Sequence, residues 1–216
     1  FNRLGGNSVA ETVVAGMLVG QYVADYCDSA DSDITISSAL IRETGARQAA
    51  ALRQLAERSG GEHAYTLLKE MQQTMTDNVG IFRDQERLQT AVDQLQALLV
   101  RSRHLSLRNQ ARGANPELVA AYRVQKMLKL AVCVAYGALQ RTESRGAHYR
   151  RDFPQRNDRD WLNRTLAVWP GEEATLPTLS YEDIAIMKME LPPGWRGYGD
   201  KDYIDHRDTH RRAAEI

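Results

Sequence analysis

Helical periodicity runs from Ser38 to Arg141 and stops at Thr142, and this limits the possible folds more than any other feature of the chain. Ser38 to Arg58 places Ile41, Ala49, Leu52, Leu55 and Ala56 on one side; Gly45 is a candidate early break, and Gly60-Gly61 ends the stretch. His63 to about Asn78 carries Leu67, Leu68, Met71 and Met75. Asp84 to about Leu107 sets Leu88, Val92, Leu95, Leu98, Leu99 and Leu105 at the i, i+3, i+4 steps of one helix face. Asn115-Pro116-Glu117 then supplies a cap, a proline at the first helical position and an acid in the first turn. The helix it starts runs to about Arg141 through Leu118, Tyr122, Leu128, Val132, Ala135 and Leu139. Connections this short favour antiparallel neighbours. The expected fold is mainly α: an antiparallel three- to four-helix bundle over 34–141, then a small β-containing irregular segment over 142–216.

Past Thr142, proline, glycine and aromatic residues replace the periodic pattern. Thr165 to Trp169 and Tyr181 to Met187 read as short strands, together one hairpin. Leu191 to Gly199 is turn-rich, and the residues from Lys201 form a charged tail. Ahead of the bundle, Gly5-Gly6-Asn7-Ser8 precedes an apolar run to about Tyr26. Asn7 or Ser8 can cap that helix, and Glu11 stands at capping-box distance from Ser8. Gly16 and Gly20 leave one of its faces bare. The acidic stretch Asp28 to Asp33 then separates residues 1–33 from the bundle.

Formal net charge is zero over 216 residues, which gives no global pull toward nucleic acid or membrane. The charge is unevenly spread. Arg101 to Arg164 holds 14 Lys and Arg against 5 Asp and Glu, and the remainder is acidic by the same margin. Such a split predicts either charged surfaces that meet a partner or one part of the fold neutralising another. Arg and Lys are not interleaved with aromatic residues, which argues against nucleic acid. Two cysteines, Cys27 and Cys133, form no CxxC, so a disulfide framework, a cluster site or structural zinc is not expected, and a reducing compartment is. No apolar run reaches the ~20 residues of a membrane span. The chain begins at Phe1 rather than Met, which suggests a piece of something longer.

The first segment with chemical potential is Arg3-Leu4-Gly5-Gly6-Asn7-Ser8. Two glycines let the backbone approach a flat ligand, and the following helix aims free N–H groups and its positive dipole end at that ligand. A phosphate suits such a place, as does the N1–C2=O edge of a flavin. Arg3 offers a planar fork for a carboxylate. A capped helix after a turn explains the same residues without any ligand. Glu143, Arg145 and His148 could form a relay, but a structural network joining the helical domain to its neighbour is the simpler reading. His206 and His210, four apart, lack a third metal ligand.

Three stretches carry a resemblance. Asn2-Arg3-Leu4-Gly5-Gly6-Asn7-Ser8-Val9-Ala10-Glu11 resembles the motif shared by the flavoprotein subunits of fumarate reductase and succinate dehydrogenase. Arg141-Thr142-Glu143-Ser144-Arg145-Gly146-Ala147-His148, with Arg151-Asp152-Phe153-Pro154 and Asp160-Trp161-Leu162, resembles that family's Arg-x-Glu-Ser-Arg-Gly-x-His segment and its continuation. Met189 to Gly199 (MELPPGWRGYG) is similar to the tail of fumarate reductase flavoproteins. The three occur in the family's order.

The resemblance implies interconversion of fumarate and succinate by hydride transfer with FAD. It implies that Arg3 binds a substrate carboxylate and that Gly5, Gly6, Asn7, Ser8 and Val9 approach the flavin, although many members have Leu where this chain has Val9. Residues 1–33 would then be the C-terminal remnant of an FAD-binding domain. The expected partners are the dicarboxylate substrate, an iron–sulfur subunit and, indirectly, a membrane anchor subunit, with the protein peripheral on the cytoplasmic face of the inner membrane. The family's GxGxxG strand is not among these residues, so the chain alone is expected neither to hold FAD nor to turn over. The competing expectation is a non-enzymatic helical module that docks the iron–sulfur subunit.

Overall fold

The computed structural model describes residues 7–29, 36–110 and 113–183, and it falls into two compact units, residues 1–51 and 52–216. In the first unit, helix α1 spans Asn7–Ser29. Its apolar residues point all round: Val9, Val14, Met17, Leu18, Tyr22 and Val23 are each more than half exposed. A helix apolar on every side is built to be enclosed. No helix among the described residues is long and apolar enough to cross a membrane.

Helix α2 covers Ser38–Glu57, with Ser37 Oγ accepting from the Ala39 N–H at 3.2 Å. Gly45, the candidate break, is carried inside α2. A lone glycine costs a helix only about 1 kcal/mol, less than its flanking turns return. Gly60, at φ +73°, takes the turn that follows α2, and Gly61 passes so close to the His104 carbonyl that a Cβ would sit 2.0 Å from it. Only glycine fits there.

The second unit is built on α3 (Ala64–Asn78), α4 (Gln85–Arg101) and α5 (Pro116–Gln140), each packed on the other two. Their directions follow from their ends. Glu62, before α3, bridges Leu105, after α4, so α3 and α4 are antiparallel. His63, at the start of α3, meets Glu117, at the start of α5, so these two run parallel. Leu67, Leu88, Leu95, Val124, Leu128 and Val132 have essentially no exposure and form the shared core. Each such side chain contributes roughly 1.5–3 kcal/mol relative to exposure. The Asn115 cap matches its sequence signal, accepting from Glu117 N and Leu118 N, and Asp84 caps α4 by accepting from Arg87 N.

Helix α4 ends earlier than its periodicity suggests. Ser102–His104 tightens into a 3-10 turn, in which Ser102 Oγ donates to Leu99 O at 2.6 Å and His104 O accepts from Glu62 N at 2.9 Å. Leu105 still reaches the core, but from extended chain.

After α5, strand β2 (Tyr149–Arg150) pairs in parallel with β1 (Phe82–Arg83), which lies in the α3–α4 connection. A short helix, α6 (Asp158–Trp161), leads into β3 (Asn163–Val168), which pairs antiparallel with β4 (Thr178–Asp183). The expected hairpin is present but displaced toward the N-terminus, starting at Asn163 and resuming at Thr178. The expected strand residues 184–187, the turn-rich 191–199 and the charged tail lie outside the described residues. The mainly α bundle with a small β-containing segment is the observed fold.

Candidate functional site

Of the residues expected at a flavin, Arg3, Gly5 and Gly6 lie outside the described residues, and Asn7 opens α1. Ser8 therefore stands inside the first turn rather than at the cap. Its carbonyl accepts from Thr12 Oγ1 at 2.8 Å, one turn on. Ser8 and Val9 are both exposed. The first N–H groups of any helix lack intrahelical acceptors, and no acidic residue in the first turn of α1 offsets its positive dipole end. This end of α1 can receive an anion or an electron-rich ring edge.

The second motif is brought together as a polar network where α5 ends. Arg141 donates through Nη1 to Glu143 at 2.7 Å and to the Trp161 carbonyl at 2.9 Å, and through Nη2 to the Asn163 carbonyl and Thr165. Glu143, fully buried, also accepts from Arg145 Nε at 2.8 Å, Arg145 Nη2 at 3.0 Å and Asn157 N at 2.9 Å. Arg145 passes on to Asp158, which Arg156 clasps with Nε and Nη2, both at 2.7 Å. Burial would raise the Asp158 pKa, but hydrogen bonds from Arg156 and Arg145 outweigh it and hold the carboxyl below its usual range.

Arg150 is fully buried and spends its donors in three directions. Nη1 meets the carbonyls of Ala138 and Leu139 at 3.0 and 2.9 Å, Nε and Nη2 grip Asp152, and Nη2 also reaches Gln85. It thus satisfies carbonyls left open by the last turn of α5 and places a cation at the negative end of that helix. Each carboxylate of the network, Glu143, Asp152 and Asp158, is paired with an arginine of the same segment. Among the described residues the network joins the end of α5 and the start of α4 to β2, α6 and β3.

Sequence reasoning missed Arg150, Arg156 and their partners. The signal was an Arg-x-acid spacing used three times: Arg141-x-Glu143, Arg150-x-Asp152 and Arg156-x-Asp158. In non-helical backbone, residues two apart share a side. Pairing offsets only part of the basic excess between 101 and 164, because the acids of the stretch itself are already counted in it. Arg101 meets Glu62 and Glu70, Arg103 meets Glu173, and the motif arginines take acids of the stretch itself. At the opposite pole of the bundle, Glu117 accepts from the N–H groups of Arg108 and Asn109, both at 2.9 Å, and meets His63 Nε2 at 3.0 Å. No group of three or more His, Cys, Asp or Glu capable of holding a metal occurs among the described residues.

The family model for the fumarate reductase flavoprotein C-term matches residues 68–198, more than half of the chain. The chain belongs to that family. It is 47% identical over its whole length to the fumarate reductase flavoprotein subunit of Helicobacter pylori strain 26695, of which it covers 30%. It is 32% identical over 93% of its length to the succinate dehydrogenase flavoprotein subunit of Bacillus subtilis strain 168, covering 34% of that protein. The chain thus spans about a third of the length of the curated relatives it matches. Among solved structures it is similar to an Escherichia coli quinol fumarate reductase chain, with TM-score 0.77 and 32% identity over 90% of this chain and 32% of that one. A chain of a Mycobacterium smegmatis Sdh1 complex gives TM-score 0.70 at 32% identity, with 89% of this chain and 31% of that one covered. Adenylylsulfate reductase of Archaeoglobus fulgidus, at 18% identity and TM-score 0.57, shares the fold alone.

Proposed function

We propose that this chain is the C-terminal part of a flavoprotein subunit that interconverts fumarate and succinate by hydride transfer with FAD, in a quinone-linked enzyme. The observation that carries this reading is the start of α1. A family member presents a helix N-terminus directly after Gly5-Gly6, with Ser8 and Val9 exposed in its first turn. That end fits FAD, because unpaired N–H groups and a positive dipole suit the N1–C2=O edge of isoalloxazine, which gains negative charge on reduction. FAD, when bound, supplies or accepts the hydride.

Arg3 holds one carboxylate of the dicarboxylate. During fumarate reduction, negative charge builds toward that carboxylate, and a guanidinium bound to it stabilises that charge. Ser8 and Val9 offer backbone N–H groups to the ring, so Val in place of Leu at position 9 leaves the contact intact. Gly5, Gly6 and Asn7 give the close approach. In the intact subunit, Arg3→Lys is expected to lose most turnover and keep its FAD; unchanged kcat and KM would remove Arg3 from the site. The 216-residue chain alone is expected to purify without flavin absorbance.

Electrons would pass between FAD and the iron–sulfur subunit, and a membrane anchor subunit would hold the assembly peripherally on the cytoplasmic face. A docking role is also supported by α5, whose Val119, Met127, Leu130 and Val134 form an exposed apolar stripe beside Arg123 and Lys126. Capture of the iron–sulfur subunit by residues 34–216 tests that role.

A further inference from the structure

Arg83 is a half-buried cation for which no carboxylate partner occurs among the described residues. Its Nε donates to the carbonyls of Val79 and Gly80 at 3.1 and 3.0 Å, at the end of α3. Its Nη1 lies 2.8 Å from His148 Nδ1. A guanidinium can only donate, so Nδ1 must carry a lone pair and the proton must sit on Nε2. Nε2 in turn lies 3.3 Å from the Arg141 carbonyl, which accepts that proton. The neutral imidazole therefore stands between the α3–α4 corner and the end of α5. The turn that presents it is fixed by reciprocal backbone bonds between Arg145 and His148, at 2.7 and 2.9 Å. The same joint is crossed by the β1–β2 pairing and by Arg151 N donating to Arg83 O at 2.7 Å.

The charges around His148 are mostly of one sign. Arg83 faces it from β1, Arg141 from the end of α5 and Arg150 from β2. The nearby carboxylates are already engaged, Asp152 by Arg150 and Glu143 by Arg141 and Arg145. A proton on Nδ1 would remove the acceptor for Arg83 and add another cation to three.

We propose that His148 is an acid-sensitive latch: unprotonated, it ties the α3–α4 corner through Arg83 to the segment after α5, and its protonation releases that joint while the apolar bundle stays folded. This stands independently of the flavin reading. Burial first, then Arg83, pushes the imidazole pKa down from 6.5 to about 4. The open joint, with an ordinary histidine, binds a proton that the closed joint refuses. Closure is therefore at full strength above pH 6.5 and is lost as pH falls toward 4. Asp152 titrates below its ordinary 3.8, held down by Arg150, so it contributes only beneath this window.

The test is amide hydrogen exchange on the full chain between pH 7 and pH 4.5, with histidine ring titration by NMR. Protection at Arg151 and Phe153, corrected for intrinsic rates, is expected to fall roughly tenfold per pH unit below pH 6.5. Protection at Leu128 and Val132 should hold. In His148→Gln the amide oxygen can still accept from Arg83 but takes no proton, so the slope should vanish. Arg83→Met should move the His148 titration back toward its ordinary value. A His148 ring that titrates at 6.5 or above in the native chain, flat wild-type protection, or an equal slope in His148→Gln would overturn the latch. If neither variant folds, the wild-type titration and slope decide alone.

Discussion

The three-helix bundle and the segment that follows it are held by opposite means. In α3, α4 and α5 the interior is Leu, Val, Ala and Met, with the neutral Thr74–Gln94 hydrogen bond between α3 and α4. From Arg141 to Leu162 the most buried side chains are instead Glu143, Ser144 and Arg150, with Leu162 the sole core aliphatic there. An apolar core tolerates small shifts, because burial has no direction. A buried ionic network does not, because each charge must keep its partner or bear a desolvation cost of several kcal/mol. The segment after α5 is thus the brittle part, and it is the part that carries the family's second motif.

The sharpest way to break this contrast is Glu143→Ala, which leaves Arg141 without a carboxylate and Arg145 with Asp158 alone. We expect urea unfolding to show a loss of roughly 3–5 kcal/mol. A loss under about 1 kcal/mol would mean that water relieves the arginines and that the network is not dry. Next is Leu128→Ala in the bundle, expected to cost about 2–5 kcal/mol through lost burial and a cavity. Unlike Glu143→Ala, it should leave exchange at Arg151 unaltered relative to the core. Smallest is Asn115→Ala at the start of α5, with an expected loss of about 1 kcal/mol from two unpaired N–H groups. A larger loss there would show that α5 depends on its cap rather than on its packed face.

Much of the bundle was legible in the sequence. Leu88, Val92, Leu95, Leu98 and Leu99 recur at helical steps and are all buried, and Asn115-Pro116-Glu117 marks a helix start that forms as written. The end of α4 was not legible. Leu105 continues the apolar rhythm, and only the meeting of His104 with Glu62 turns the chain away. The hairpin register was equally hidden, since Asn163 enters β3 beside Arg141, a partner supplied by the end of α5.

The opening motif divides along the same line. Its glycines, its arginine and the helix behind it are visible in sequence order, because a helix start is a local event. What the sequence by itself determined is the set of helices, their caps and the family to which they point. What only the tertiary structure decided is which charges meet. Arg83 and His148 lie 65 residues apart and share one hydrogen bond. Local propensity cannot encode such a pairing, because it exists only after α3, α4 and α5 have packed and brought their ends together.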